Sequence, residues 1–323
     1  MNFAIVGAGA LGSVLGAHLI KAGHGVSMVA RGARAAHLVG AGLRLTGLVD
    51  AEAACRVVTQ PATLEDDDAE VLIFAVKTYQ MEAALAPVAH LNPKAVVSVA
   101  NGVMKNEQMG AMFGHDVVMG CMADTSGELQ SDGVVRFTRN VGMQIGAVTP
   151  DSRADAAAVA AAIDDAGVAC RAVPNISTVE WSKFTAWVAM FSLAVVARRP
   201  TGQFLSDPHF AGATVAQIRE AGTVAAALGV ALDNDAPMPV VDILAASDAD
   251  ACAIVQGVGR NFAENAPQHR MSALQDLEAG RRLEVHETLG WLVGKADALG
   301  LPVPALKTAL QLAAGLDALQ SVT

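Results

Sequence analysis

The chain has 323 residues, of which 53% are hydrophobic and 17% are charged. This length suits two domains, and the apolar share excludes an intrinsically disordered chain, which needs the opposite balance. The formal net charge of −10 argues against nonspecific nucleic-acid binding, because no basic stripe is available to neutralise phosphates.

The cysteines and the apolar segments indicate a cytoplasmic location. Cys55, Cys121, Cys170 and Cys252 are isolated, and the histidines show no metal-ligand spacing, so we expect reduced thiols and no metal site. The apolar N-terminus lacks the basic region of a signal peptide, and the run 184–197 is shorter than the ~20 residues that span a bilayer. We therefore expect neither a nucleic-acid nor a membrane partner.

The first predicted elements form a strand–turn–helix–strand unit. An apolar strand over 3–6 leads into Gly7, Gly9 and Gly12, spaced G-x-G-x-x-G, and a second strand follows the helix over 26–29. Gly7 permits the tight turn, Gly9 lets the backbone approach a pyrophosphate, and Gly12 lets the helix pack on the strand.

The start of this first helix is a predicted phosphate site. The backbone N–H groups of Gly9, Ala10 and Leu11 would face the phosphates at the positive end of the helix dipole. A dinucleotide-binding unit is the interpretation that this context favours, and glycines that serve only a tight turn are the alternative.

The end of the second strand predicts which dinucleotide binds. NAD-binding chains place an acidic residue there to hold the ribose 2′-OH, yet no Asp or Glu occurs from Met1 to Val49. Arg31 stands at that position and Arg34 follows. Since a guanidinium can bind a 2′-phosphate bidentately, the predicted cofactor is NADP(H). Two solvated surface arginines are the alternative.

Two further apolar runs predict buried strands over 70–77 and 95–102. They end in Lys77 and Asn101, at the edge where open α/β sheets bind ligands, so both are candidates for contacts with cofactor or substrate. A solvated lysine and an Asn-Gly turn are the alternatives. Short strands that add to the sheet in antiparallel orientation are expected over 117–146, a helix over 151–168, and a last strand with a linker near Pro174.

The pattern of the second half of the chain predicts helices over 177–198, 207–229, 237–246, 248–265, 272–299 and 304–318. The predicted fold is therefore α/β, with a Rossmann-type parallel sheet domain followed by an all-helical domain. We expect an NADP-binding domain over 1–174 and a helical substrate and catalytic domain over 175–323.

Lys183 and Glu284 are the candidate catalytic pair. Lys183 is a lone charge at the head of an apolar helix and shares a face with Trp187 and Phe191, a setting that makes a lysine a usable proton donor. Glu284 falls within the predicted helix over 272–299, on a largely uncharged face. A carboxylate on such a face requires a hydrogen-bonding or oppositely charged partner. Solvated charges on helix ends or flanks are the alternative for each.

Six segments together resemble the ketopantoate reductase (2-dehydropantoate 2-reductase) family, in its order and over nearly the whole chain. They are "GAGALG", "VARGAR", "FAVKTYQ", "VANGV", "WSKF" and "SALQDLEAGRRLEVHETLG". The late block is far more specific than the glycine motif.

The resemblance implies an NADPH-dependent reduction of the 2-oxo acid ketopantoate to its 2-hydroxy acid in pantothenate synthesis. It matches Lys183 to the family's catalytic lysine and Glu284 to its active-site glutamate. Ser272 matches the serine on the substrate carboxylate, and Asn101 the cleft asparagine. Lys77 matches the loop lysine on the cofactor side, and Arg31 matches the arginine that holds the 2′-phosphate.

One departure from the family bears on the substrate. Family members usually carry asparagines one and two helical turns after the catalytic lysine, where this chain has Trp187 and Phe191. A different, more apolar 2-oxo acid is therefore an alternative substrate. A non-catalytic NADP-binding regulator is an alternative from another class, although it would need only the cofactor half. The expected partner is a small 2-oxo acid, and a homodimer is the assembly to test.

Overall fold

The computed structural model describes residues 1–320, and the chain divides into two compact units. The first unit comprises Met1–Ser177 and the second begins at Thr178. The first is built on a sheet that is mostly parallel, and the second is built from helices, which confirms the predicted fold class.

The first unit contains ten strands and five α-helices among its described residues. The strands are β1 (Asn2–Val6), β2 (Gly25–Val29), β3 (Leu43–Gly47), β4 (Ala51–Ala53), β5 (Arg56–Val58), β6 (Val71–Phe74), β7 (Ala95–Ser98), β8 (Val118–Leu129), β9 (Val135–Ala147) and β10 (Cys170–Ala172). The helices are α1 (Ala10–Lys21), α2 (Gly32–Ala41), α3 (Met81–Leu85), α4 (Met104–Phe113) and α5 (Ala156–Asp165).

The strands follow the order β4-β3-β9-β8-β7-β6-β1-β2-β5, with β10 paired to β9. The β3–β4 and β8–β9 pairs are antiparallel, and the others are parallel. Both faces of the sheet are covered: alternate residues of β1 enter two separate apolar clusters, Phe3 and Ile5 one of them, Ala4 and Val6 the other. This double burial explains why the central strands are continuous apolar runs in the sequence.

The edge of the sheet differs from the sequence prediction. The short strands expected over 117–146 are two long strands, β8 and β9, which form one antiparallel hairpin with irregular register near Thr125 and Gly127. The hairpin does not join the sheet in the predicted antiparallel orientation, because β8 pairs with β7 in parallel and β9 pairs with β3 in parallel. Strands β3, β4 and β5 were not predicted. The helix expected from Asp151 begins only at Ala156, because the Asp155 carboxylate accepts the N–H of Ala158 and caps it there.

The described part of the second unit, residues 178–320, contains helices and connecting segments without strands. Its helices are α6 (Ile176–Ala197), which begins at the end of the first unit, α7 (Thr201–Ser206), α8 (Pro208–Ala227), α9 (Val240–Ala245), α10 (Asp248–Asn265), α11 (Ser272–Glu278), α12 (Trp291–Ala298) and α13 (Pro304–Gln320). A π-helical turn, His286–Gly290, precedes α12.

The single helix predicted over 272–299 is wrong. Helix α11 ends at Glu278, and Gly280 takes a left-handed conformation with φ of 63°. The N–H of Gly280 donates to the carbonyl of Leu277 at 3.1 Å, and the N–H of Arg281 donates to that of Asp276 at 2.8 Å. This pair of bonds around a left-handed glycine is a Schellman motif, which terminates the helix.

Among residues 1–320, α6 alone has the length and apolar composition of a membrane-crossing helix. Of its most apolar window, 78% is buried inside the structure. Core helices of globular proteins pass the same composition test, and this burial agrees with the core helix that the sequence predicted.

Candidate active site

The glycine-rich turn between β1 and α1 is closed by contacts that leave no room for side chains at two positions. Gly7 has φ of 111°, and a Cβ there would lie 2.6 Å from the carbonyl oxygen of Ala75. A Cβ on Gly12 would lie 2.0 Å from the carbonyl oxygen of Gly7. At Gly9, by contrast, the nearest atom would be 4.0 Å away, so this face of the turn is open to a ligand.

The open face carries backbone donors. Helix α1 has Gly9 as its N-cap without a side-chain cap, and its first turn holds no acidic residue. In the described structure the N–H groups of Gly9, Ala10 and Leu11 have no hydrogen-bond partner. Such a row of unpaired donors at a helix N-terminus fits the pyrophosphate of a dinucleotide.

Arg31 and Arg34 differ in what their guanidinium groups do. Arg31 is exposed at the N-cap of α2, directly after β2, and its side chain makes no hydrogen bond or ion pair with residues 1–320. Arg34 is half-buried and donates to three protein oxygens, one of them the carbonyl of Ala8 at 2.8 Å. Of the two arginines at this strand end, Arg31 alone is left for a ligand.

Lys77 and Asn101 lie at the same sheet edge as the glycine-rich turn. Strands β1, β6 and β7 are parallel neighbours in which Val6 pairs with Phe74 and Phe74 pairs with Ser98, so their carboxyl ends are level. Lys77 and Asn101 follow β6 and β7 by a few residues, and both are half-buried. The structure therefore gathers the cofactor candidates of the first unit at one edge.

Lys105 is a residue that the sequence reasoning missed. It lies in the first turn of α4 and is only 3% exposed. Its ammonium donates to the carbonyl of Ala100 at 2.7 Å and to that of Cys121 at 2.8 Å. Lys105 thus ties the loop that carries Asn101 to strand β8. The only sequence signal was a lysine four residues after Asn101, at a predicted strand end.

The substrate-side candidates lie in the second unit. On α6, Lys183 is half-buried, whereas Trp187 and Phe191 are 5% and 1% exposed. The rings of Trp187 and Phe191 pack with their centroids 4.9 Å apart, which confirms that these two residues share a face of the helix. The ring pair therefore begins one helical turn after Lys183 on α6.

Glu284 and Ser272 lie in the segment where the predicted helix is broken. Ser272 is the first residue of α11 and is half-buried. Glu284 lies between α11 and the π-helical turn, is 4% exposed, and accepts through its backbone carbonyl from the Thr288 hydroxyl. The continuous helical face expected around Glu284 does not exist. The pairing of its carboxylate with Lys183 stays a prediction.

A second buried carboxylate of this segment was missed from the sequence. Asp276, in α11, is 5% exposed and accepts from Nε of Arg281 at 2.8 Å. The Schellman motif brings Arg281 back over α11 to make this ion pair. No spacing rule in the sequence pairs residues across a helix end in this way.

Family models match both halves of the chain. The model described as ketopantoate reductase PanE/ApbA matches residues 3–150, and the one described as ketopantoate reductase PanE/ApbA C terminal matches residues 175–317. A 2-dehydropantoate 2-reductase of Archaeoglobus fulgidus is 30% identical over 313 residues, which cover 97% of each chain.

Solved structures share the fold over the full length. A PanE/ApbA family ketopantoate reductase from Ralstonia eutropha has a TM-score of 0.83 at 27% identity and covers 99% of this chain and 100% of its own. D-mandelate dehydrogenase in a ternary structure with NADH and anilino(oxo)acetate has a TM-score of 0.84 at 19% identity, with 99% and 100% covered. With both halves matched in order, the chain belongs to the ketopantoate reductase family of oxidoreductases.

Proposed function

We propose that this protein reduces a 2-oxo acid, with ketopantoate as the leading substrate, to the 2-hydroxy acid, using NADPH. The observation that carries the proposal is the row of unpaired N–H groups at Gly9, Ala10 and Leu11, beside an exposed Arg31 in place of an acid. These donors suit a pyrophosphate, and the guanidinium suits a 2′-phosphate. When bound, NADPH supplies the hydride that the carbonyl carbon receives.

The chain's own residues would stabilise the charge that develops on the substrate carbonyl oxygen and donate a proton to it. As hydride reaches the carbonyl carbon, negative charge develops on the carbonyl oxygen, and the Lys183 ammonium would stabilise that charge and donate a proton. Glu284, a buried carboxylate of the same unit, would hold the lysine or the new hydroxyl in line. Ser272 would bind the substrate carboxylate, Asn101 would contact cofactor or substrate, and Lys77 would serve the cofactor side.

A more apolar 2-oxo acid is the second candidate substrate, and the Trp187–Phe191 ring pair favours it. Both rings are buried and pack against each other at positions where the family resemblance leads us to expect asparagines. D-mandelate dehydrogenase shares the fold, and its ligand anilino(oxo)acetate carries an aromatic ring. Residues that offer rings in place of amides lose the hydrogen bonds that would select the ketopantoate hydroxyl.

A panel of 2-oxo acids tests the proposal. The oxidation of NADPH and of NADH is followed by absorbance with ketopantoate, 3-methyl-2-oxobutanoate and phenylglyoxylate, and kcat/KM is compared. Turnover of ketopantoate with NADPH as the better cofactor supports the leading function, and a preference for an acid without the hydroxyl supports the second. Binding of NADPH without turnover of any acid would instead favour a regulator.

A further inference from the structure

Arg34 joins three elements of the first unit through one guanidinium group. Its Nε donates to the carbonyl of Ala8 at 2.8 Å, its Nη1 to the carbonyl of Gly133 at 2.7 Å, and its Nη2 to the hydroxyl oxygen of Ser13 at 2.8 Å. Ala8 is in the glycine-rich turn, Ser13 is in α1, and Gly133 is in the turn of the β8–β9 hairpin. A planar fork of donors can satisfy three such acceptors, which a single ammonium cannot do in the same geometry.

The bond to Ala8 fixes the orientation of the peptide that links it to Gly9. The Ser13 hydroxyl also donates to the Ala8 carbonyl, at 3.2 Å, so two side chains hold this oxygen. In a trans peptide the C=O and the following N–H point in opposite directions, and no described peptide is cis. With the Ala8 oxygen held toward Arg34, the Gly9 N–H is directed to the opposite side.

We propose that Arg34 is a positioning residue, which holds the glycine-rich turn in the shape that presents the Gly9 N–H to the pyrophosphate of a dinucleotide. The inference rests on the proposed function, because it takes the open face of the turn as the cofactor site. Arg34 acts through Ala8 and Ser13 and does not itself contact the cofactor. Its contribution is therefore shared by NADPH and NADH, which carry the same pyrophosphate.

This role differs from that of a second 2′-phosphate ligand, which the sequence left open for Arg34. Burial lowers the pKa of the Arg34 guanidinium, and all three of its nitrogens donate to the protein. Arg31 is exposed and makes no such bonds to residues 1–320. The chain thus offers a matched pair of arginines, three positions apart, with separable roles.

The test measures dissociation constants for NADPH, NADH and adenosine 2′-monophosphate, which has the 2′-phosphate but no pyrophosphate. Arg34→Gln and Arg34→Lys are compared with Arg31→Ala by fluorescence and ligand-observed NMR titration. Both Arg34 variants should weaken NADPH and NADH by the same factor, about 10-fold or more, and leave the monophosphate within about twofold. Arg31→Ala should weaken NADPH and the monophosphate and leave NADH unchanged.

Ser13→Ala provides a milder variant in case the Arg34 variants do not fold. It removes one of the two donors to the Ala8 carbonyl and should weaken NADPH and NADH equally, by a few-fold. The inference would be overturned if the Arg34 variants lost binding of NADPH and of the monophosphate but kept that of NADH. It would also be overturned if Arg34→Lys bound both dinucleotides as the wild type does, or if no Arg34 variant changed the binding of any ligand. A wild-type protein that binds neither dinucleotide would overturn the proposed function, and this inference with it.

Discussion

Trp187 and Phe191 pack against each other on α6, with ring centroids 4.9 Å apart and ring planes inclined by 31°. They follow Lys183 by one and two helical turns and are buried. Ring pairs of this geometry contribute about 0.5–1.5 kcal/mol beyond the burial of their area. The pair therefore stabilises the second unit. It also places two rings, where the family resemblance leads us to expect asparagine amides, on the helix face that carries the candidate catalytic lysine.

The first prediction concerns substrate preference. Replacing Trp187 and Phe191 together by Asn should raise kcat/KM for ketopantoate relative to 3-methyl-2-oxobutanoate, which lacks the hydroxyl, by up to about 10-fold, since new amides can bond that hydroxyl. The ratio is measured on one enzyme sample, so it does not depend on the fraction that folds.

The control for the ring pair lies on the same helix. Phe184 contacts Trp181 and Trp291, with centroids 5.9 Å and 6.1 Å away, and is not part of the pair. Phe184→Leu should lower the melting temperature and leave the substrate ratio unchanged. If the double variant also leaves the ratio unchanged, Trp187 and Phe191 do not line the substrate-binding site.

The second prediction concerns cofactor preference. Arg31→Ala should lower kcat/KM for NADPH by about 10-fold or more, because a charge-assisted contact to the 2′-phosphate is lost, and should leave NADH nearly unaffected. Arg44→Ala is the control, because Arg44 is an exposed arginine of the same unit that pairs with Glu52 at 2.9 Å. An equal loss with both cofactors would rule out a 2′-phosphate role for Arg31.

The third prediction concerns the buried ammonium of Lys105. Lys105→Met leaves the carbonyls of Ala100 and Cys121 without this donor, so the free energy of unfolding should fall by about 1–3 kcal/mol. The KM for substrate or cofactor should also rise, because the loop with Asn101 loses its link to β8. Urea unfolding and steady-state kinetics measure both effects, and Lys21→Met, at an exposed lysine, is the control. Unchanged unfolding in Lys105→Met would contradict the prediction.

The fourth prediction concerns acid stability. Glu70 accepts from the Lys94 ammonium at 2.6 Å and from the N–H of Asn2 at 2.9 Å. These bonds, that from Lys94 being the largest cause, hold the pKa of Glu70 below its usual value of 4.5. A carboxylate favoured by folding adds stability above that value, and the contribution is lost as the pH falls through the depressed pKa.

The variant Glu70→Gln should therefore be less stable than the wild type at neutral pH, and the difference should shrink as the pH drops below about 4.5. Lys94→Met removes the largest cause and should show the same pH window. Urea unfolding at a series of pH values checks both. A difference between wild type and Glu70→Gln that does not change with pH would mean that the glutamate acts by packing alone.

The parts of the fold that follow from local pattern were predicted well. The order of apolar run, glycine turn and helical pattern is local, so β1, α1 and β2 could be predicted from the sequence. The apolar runs before Lys77 and Asn101 placed both at one sheet edge because parallel strands end together. Strands β3 to β5 are short and partly exposed, so their pattern is weak, and the break after α11 depends on the backbone of a single residue, Gly280.

The parts of the site that depend on distant contacts could not be predicted. Arg34 contacts Gly133 across 99 positions of the chain, and no local pattern indicates this contact. Lys105 meets Cys121 on a different strand. In both cases a cationic side chain donates to backbone carbonyl oxygens. Every residue has such an oxygen, so the sequence does not indicate which one is bound, and only the folded structure shows the contact.

The last prediction concerns the chemical step. Lys183→Ala should lower kcat by about 10²–10⁴-fold, the usual contribution of a positioned acid, and leave NADPH affinity nearly unchanged because the glycine-rich turn belongs to the first unit. Glu284→Gln should lower kcat/KM as well. If both residues act on one oxygen, the double variant should lose less than the product of the single losses. Steady-state kinetics of the three variants measure this coupling.

A pH profile separates a proton donor from a structural charge. If the Lys183 ammonium donates the proton, wild-type kcat/KM should fall at alkaline pH as the lysine is deprotonated, and Lys183→Ala should lose that limb while keeping its residual rate. Lys307→Ala removes a lysine of the same unit that pairs with Asp297 at 2.7 Å, and its profile should match the wild type. A Lys183→Ala enzyme with near-normal kcat on its best substrate would leave Lys183 as a helix charge without a catalytic role.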